Sequence, residues 1–403
     1  MKKTYFWQTA LMAGALLFGF TACSSDDNGA QQQNNNEERT LTLTLNTGAA
    51  ASSMRATTIT EAGAATKVKE NKIKSVFVGI YNNTTGALIS GDVYNSAYEV
   101  TTGVSGWDAS DETATDNADV IKITIATQGL SESFNVFAVA NPSTTVAEKL
   151  KGATTLTAAK AVTVEKDDML QDATTAGQEK EEYLYMIGDG ALTTSDSKNF
   201  TAAIDLYHLS AKVSLENLTI TLGEPYASAG GSFTLDEVYL DNVPAKQEMW
   251  YTPHAKNETE AYTDGGTYLT TGSGASYSTK YVFYTLPNAA TEKQYATRLV
   301  LKGNFKTSSS DSGTPVYYPI YLDYDPSAEA VPASATTLPG YAAKISLTAR
   351  TAKVVYPNDW YQITATIKSV GVTDPTQDLD PQSVVVTVTA KNFLGIAQTA
   401  TFE

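Results

Sequence analysis

RTLTLTLNTGAAASSMR, residues Arg39–Arg55, alternates Leu41, Leu43 and Leu45 with Thr42, Thr44 and Asn46. This period-two pattern predicts a half-buried strand. The small residues Gly48, Ala49, Ala50, Ala51, Ser52 and Ser53 follow. They have little to bury and predict an exposed loop. The loop ends at Arg55, a single basic residue of the kind a trypsin-like protease cuts, with Ala56 after it. Upstream lie a polar tether and Cys23. Two readings fit. One is an ordinary first strand followed by a loop. The other is a removable strand between an anchor and a cut site, whose departure leaves an open groove in the domain it filled.

The rest of the chain bounds these readings. Its 403 residues exceed what one ordinary core fills, so two domains are expected. Charged residues make up only 18%, while small polar residues and tyrosine are plentiful. That composition suits strands better than surface helices. Net charge is −16. In residues 1–55, Lys2, Lys3, Arg39 and Arg55 balance Asp26, Asp27, Glu37 and Glu38, so the whole excess belongs to Ala56–Glu403. A body this acidic repels phosphate backbones, which excludes nucleic acid as a partner.

The N-terminus reads as an export signal. Lys2-Lys3 precede an apolar stretch, Phe6 to Phe20, broken by Gln8 and Thr9 and too short to favour a spanning helix. Thr21-Ala22-Cys23 is similar to a lipobox, with Phe20 where leucine is more usual. Residues 1–23 are thus expected to be a lipoprotein signal peptide, with Cys23 receiving diacylglyceride and palmitate. Cys23 is the only cysteine, so no intramolecular disulfide is possible. Ser24-Ser25-Asp26-Asp27-Asn28 resembles the surface-export signals of some Gram-negative lipoproteins, and Gln31–Asn36 is a low-complexity tether. On the removable-strand reading, residues 24–55 form a propeptide of tether and strand.

Beyond Arg55, strands are predicted at Ile73–Asn82, Val120–Thr127, Phe134–Asn141, Tyr183–Ile187 and Phe200–Leu209, with one short helix at Val146–Leu150. The region Thr154–Lys180 carries no clear pattern. From Ser210 the alternation restarts and continues through Phe233–Leu240, Tyr281–Leu286, Arg298–Gly303, Tyr317–Tyr324, Ala343–Thr348 and Tyr361–Val370. Strands spaced by turn-rich loops, with almost no helical periodicity, predict an all-β chain of two tandem β-sandwich domains, 56–209 and 210–372. Residues 373–403 form a proline- and aspartate-rich linker, Thr373–Pro381, followed by two strands. Val384, Val386 and Val388 lie on the first of these, Ile396 and Phe402 on the second. The valines have the same spacing as Leu41, Leu43 and Leu45, so one trio can replace the other in a groove.

Catalytic chemistry finds little support. His208 sits in a strand and His254 in a loop, neither with a partner at ligand spacing. Asp323 and Asp325 fall short of the six to eight oxygens that calcium takes. No phosphate-loop or dinucleotide fingerprint occurs. No enzymatic activity, cofactor or metal is expected. Trp250-Tyr251 with Tyr262, Tyr268 and Tyr277 leaves open a surface-anchored, glycan-binding lipoprotein that does not polymerise.

Two motifs carry a family resemblance. NDWYQITATIKSVG (Asn358–Gly371), followed by SVVVTVTAKNF (Ser383–Phe393), and LSAKVSLENLTI (Leu209–Ile220) resemble the fimbrillins, subunits of type V pili in Bacteroides-like bacteria. Pro357 stands where family members have Arg. The resemblance implies two transthyretin-like sandwiches and export through the periplasm as an outer-membrane lipoprotein. It also implies extracellular cleavage at Arg55 and loss of the first strand. Insertion of a neighbour's C-terminal segment, Ser383–Phe402, would then give a homopolymer at the cell surface. Adhesion and contact with other fimbrial subunits would follow, and an accessory or anchor subunit is the variant reading.

Overall fold

The structure, a computed structural model, describes residues 39–46, 73–95, 118–125, 133–166, 184–194, 196, 198–250, 262–263, 267–269, 276–277, 281–290, 295–322, 354–377, 379 and 383–392. All lie within one unit of the chain, Glu37–Glu403. The strands of the first half are β1 (Arg39–Asn46), β2 (Ser75–Asn82), β3 (Leu88–Asn95), β4 (Ala118–Ile125), β5 (Phe134–Ala140), β6 (Thr163–Glu165), β7 (Met186–Ala191), β8 (Thr193–Thr194), β9 (Asn199–Asp205) and β10 (Tyr207–His208). Those of the second half begin with β11 (Ala211–Ile220), β12 (Ser232–Asp241), β13 (Val243–Pro244), β14 (Lys246–Glu248), β15 (Tyr262–Thr263) and β16 (Thr267–Leu269). They continue with β17 (Ser276–Tyr277), β18 (Tyr281–Thr285), β19 (Arg298–Lys306), β20 (Thr314–Tyr321), β21 (Asp359–Ile367) and β22 (Val384–Asn392). Three short helices, α1 (Thr144–Gly152), α2 (Leu156–Lys160) and α3 (Tyr226–Ala229), complete the described elements. The chain is all-β in character, as its alternation predicts.

Each half stacks two sheets. In the first, β4-β1-β9-β8 faces β10-β7-β5-β2-β3. Leu41, Leu43, Phe200 and Ile204 from one sheet meet Val76, Val78, Ile80 and Val136 from the other in one core. In the second half, β17-β11-β21-β22, with β18 also on β11, faces β16-β12-β19-β20. Its core joins Val213, Ile363 and Ile367 to Leu235, Leu299 and Tyr318.

The sequence SVFVGIYN explains why β2 lies inside its sheet. Val76, Val78 and Ile80 enter the sandwich core, while Phe77 and Tyr81, on the alternate positions, enter a second cluster on the other side. A strand that buries both faces must have packing on both. Here α1 and α2 supply it. Ser143 caps α1 by accepting from Val146 N at 3.3 Å, Val146 and Leu150 face the cluster, and Lys149 and Lys151 sit in the last turn, where the helix dipole favours cations.

The region Thr154–Lys180 holds more than its sequence pattern predicts. Besides α2 it contains β6, which pairs antiparallel with β14 of the second half, Val164 opposite Gln247. Backbone bonds extend the splice: Lys166 N donates to Ala245 O at 2.8 Å, Met249 N to Val162 O at 2.7 Å, and Trp250 N to Lys160 O at 2.9 Å. Trp250 packs on Phe137, with the Lys160 ammonium 3.6 Å from its ring centre. Pairing between three-residue strands this far apart leaves no local period to read. The strand expected at Ala343–Thr348 lies outside the described residues.

Candidate functional site

β1 is not an edge strand. It runs antiparallel to β4, with Leu41 opposite Ile123 and Leu43 opposite Ile121. On its other side it runs parallel to β9, with Leu41 beside Phe200 and Leu45 beside Ile204. Leu41, Leu43 and Leu45 are fully buried, and Thr40, Thr42 and Thr44 on the alternate positions are half-buried. The Thr40 amide donates to Lys198 O at 3.0 Å. Burying three leucines contributes on the order of 5–9 kcal/mol before ordering costs, at about 1.5–3 kcal/mol each. β1 thus occupies a place floored by the sandwich core and flanked by β4 and β9.

The β9 wall is well secured. Phe200, Ala202 and Ile204 point into the core while their neighbours face outward. From the opposite sheet, Gly188 and Gly190 of β7 lie against the backbone of β9. A Cβ on Gly188 would stand 2.3 Å from Asp205 O, and one on Gly190 2.8 Å from Ala203 O. Neither the close approach of these glycines nor the parallel pairing of β1 with β9 leaves a mark in the local sequence pattern. The alternation of NFTAAID signals a strand but not its neighbour.

β22 pairs antiparallel with β21 along its whole length, Val384 opposite Ile367, Val386 opposite Ala365 and Val388 opposite Ile363, and forms the end of its sheet. Val384 is 9% and Val388 4% exposed, Val386 packs against the same core, and Val385 is 42% exposed. The valine trio is therefore part of the second half's own core. The segment before it is also more ordered than a free extended linker. Asp374 accepts from Thr376 N at 2.8 Å, Tyr317 N donates to Val372 O at 2.7 Å, and Leu379 packs against the core. Aspartate next to Pro375 makes a turn here because its side chain bonds the backbone two residues on.

Cys23, Arg55, Ala56, Ile396, Phe402 and His254 lie outside the described residues. His208, in β10, is fully buried, and burial together with the Lys212 charge lowers its pKa to about 3. A neutral imidazole of that kind is a core residue. Trp250, 8% exposed, belongs to the cluster beside β2 and offers no open face to a sugar.

No family model matches the sequence, and neither does any curated protein. Solved structures do match its fold. A Bacteroides eggerthii protein assigned to cell adhesion aligns over 90% of this chain and 96% of its own, with TM-score 0.54 and 19% identity. A Parabacteroides distasonis protein of the same assignment aligns over 88% and 98%, with TM-score 0.56 and 14% identity. A fimbrilin of Porphyromonas gingivalis aligns over 90% and 100%, with TM-score 0.53 and 15% identity. β1 and its two neighbours are thus set in a chain whose fold is similar to that of these fimbrial and cell-adhesion proteins.

Proposed function

We propose that this chain is a structural subunit of a surface fimbria. It is exported through the periplasm as a lipoprotein, anchored to the outer membrane through Cys23, and cut after Arg55 by an extracellular trypsin-like protease. It then polymerises head-to-tail when a second copy fills the vacated slot. The observation that carries this reading is the position of β1, whose three leucines are fully buried between two other strands although it lies just upstream of a single basic residue. An ordinary subunit would have no use for a removable interior strand. In a fimbria its loss creates the acceptor. The two sandwiches correspond in this reading to residues 56–209 and 210–372, and residues 373–403 carry the donor.

The donor is drawn from Ser383–Phe402. Val384 and Val388 already fill their own core, so lending them would open a second cavity. That favours the part beyond Asn392, with Ile396 and Phe402, as the strand that reaches the neighbour. A head-to-tail contact of this kind gives a filament unless its rotation closes into a ring. Adhesion and contact with other fimbrial subunits follow from that assembly.

N-terminal sequencing of surface-exposed material tests the reading. The expected first residue is Ala56. Lipid-modified Cys23 on most of the assembled protein would overturn it, and Cys23→Ala should block surface delivery while leaving both sandwiches folded.

A further inference from the structure

We propose that the slot has one fixed wall and one conditional wall. β9 holds its place when β1 leaves, β4 does not, and an incoming strand docks on β9 first, parallel to it, before β4 closes along its other edge. The inference rests on the reading of β1 as a removable strand and concerns how the acceptor is built.

The two walls differ in what else holds them. β9 pairs with β8 on its far side, where Thr193 Oγ1 donates to Thr201 O at 3.2 Å and Thr194 Oγ1 to Asn199 O at 2.8 Å. Gly188 and Gly190 bring β7 onto its backbone, and Phe200, Ala202 and Ile204 are sunk in the core. The β8 pairing and the glycine contacts do not involve β1, although the core that holds Phe200, Ala202 and Ile204 is shared with Leu41, Leu43 and Leu45. β4 stands at the end of the sheet order β4-β1-β9-β8, and among the described strands it pairs with β1 alone. Removing β1 takes away that entire ladder. A strand with no neighbour is not stable in water, because its amides and carbonyls have only solvent to bond and its side chains only one surface to pack on. β4 therefore loses its ordered state in the cleaved subunit.

The occupant follows from the same geometry. It is an extended segment of a second copy, with apolar residues at alternate positions, running in the direction of β9 and against that of β4. Its two edges are separable. Because Thr40 N donates to Lys198 O on β9, the amides of Thr42 and Thr44 point the same way, and those of Leu41 and Leu43 point toward β4.

Hydrogen exchange on the full chain tests this. A specific protease site replacing residues 48–53 allows β1 to be cut and washed away without reliance on Arg55. In the uncut protein both walls should be protected. After β1 is shed, residues 118–125 should exchange about tenfold or more faster than before, while the amide of Thr201, which faces β8 and not β1, stays slow. The peptide RTLTLTLN should return residues 118–125 to slow exchange. Methylated on the amides of Leu41 and Leu43, it should still bind and leave β4 fast. Methylated on those of Thr42 and Thr44, it should not bind. β4 remaining protected in a chain that has shed β1 overturns the proposal, as does loss of protection at Thr201 of β9, or equal binding of both methylated peptides. A cut chain that never releases residues 39–46 overturns the removable-strand reading itself, and this proposal with it.

Discussion

Gly188 of β7 lies against the main-chain carbonyl of Asp205 in β9, so closely that a Cβ on the glycine would stand 2.3 Å from that oxygen. The obstacle is backbone, so no side chain can rotate away to make room. The two sheets of the first sandwich touch at this point because the residue is glycine. Gly188→Ala should therefore force them apart and lower stability by about 3 kcal/mol, the upper end of the usual cost of overpacking. Gly152, at the end of α1, has no atom within 4 Å of such a Cβ. Gly152→Ala should stay within about 0.5 kcal/mol of wild type. Urea midpoints of the two variants check the pair, and an unchanged midpoint for Gly188→Ala would show that the sheets do not meet there.

Leu43 is central in the buried trio of β1. Leu43→Ala should destabilise the uncut protein by about 2–5 kcal/mol, the range for emptying a leucine site in a core. If β1 leaves on cleavage, the same substitution should have no effect on the stability of the cleaved chain. Denaturation of both forms, wild type and variant, reads this directly. A penalty that survives cleavage would mean that the strand stays.

His208 sets a pH dependence. Burial first, then the Lys212 charge, lowers its pKa from 6.5 to about 3 in the folded chain. Between those values the unfolded chain holds a proton here that the folded chain does not. Stability from this group is thus complete above pH 6.5 and declines as pH falls, by up to about 1.4 kcal/mol per unit. His208→Leu removes that slope. Its stability deficit relative to wild type should shrink steadily between pH 6.5 and pH 4, as thermal or urea unfolding across the range will show. A constant deficit would mean that the imidazole is not held neutral.

Strict alternation made β1 and β22 readable in the sequence, because a half-buried strand leaves its period in Leu41, Leu43 and Leu45 and in Val384, Val386 and Val388. Neighbours leave no such record. That β1 runs beside β9, or that Val388 faces Ile363 of its own half, depends on pairings between residues far apart in the chain. β3 carries no clear period because LISGDVYN interrupts its apolar positions with Gly91 and Asp92, residues poor in strands. The splice of β6 to β14 was too short to carry a period. Thr373–Gln377 is ambiguous in the same way, since proline and aspartate mark turns and linkers alike.

The placement of the valines separates two parts of the C-terminal segment. Val388, 4% exposed, is buried against its own sandwich and stands opposite Ile363. Val388→Asp puts a carboxylate into that core, where it must lose its water or carry a proton, and the cost is several kcal/mol. The uncut variant should be clearly destabilised whatever happens during assembly. Ile396→Asp is different. If the segment beyond Asn392 is the donor, this variant should melt like wild type before cleavage and remain monomeric after it. Val385, 42% exposed, is the control: Val385→Thr should both fold and polymerise. Melting temperatures of the uncut proteins, set beside ladders of heat-sensitive oligomers after cleavage, distinguish the cases. Normal ladders from Ile396→Asp would remove the distal segment from the joint. A stable Val388→Asp precursor that fails to polymerise would move the donor back into β22.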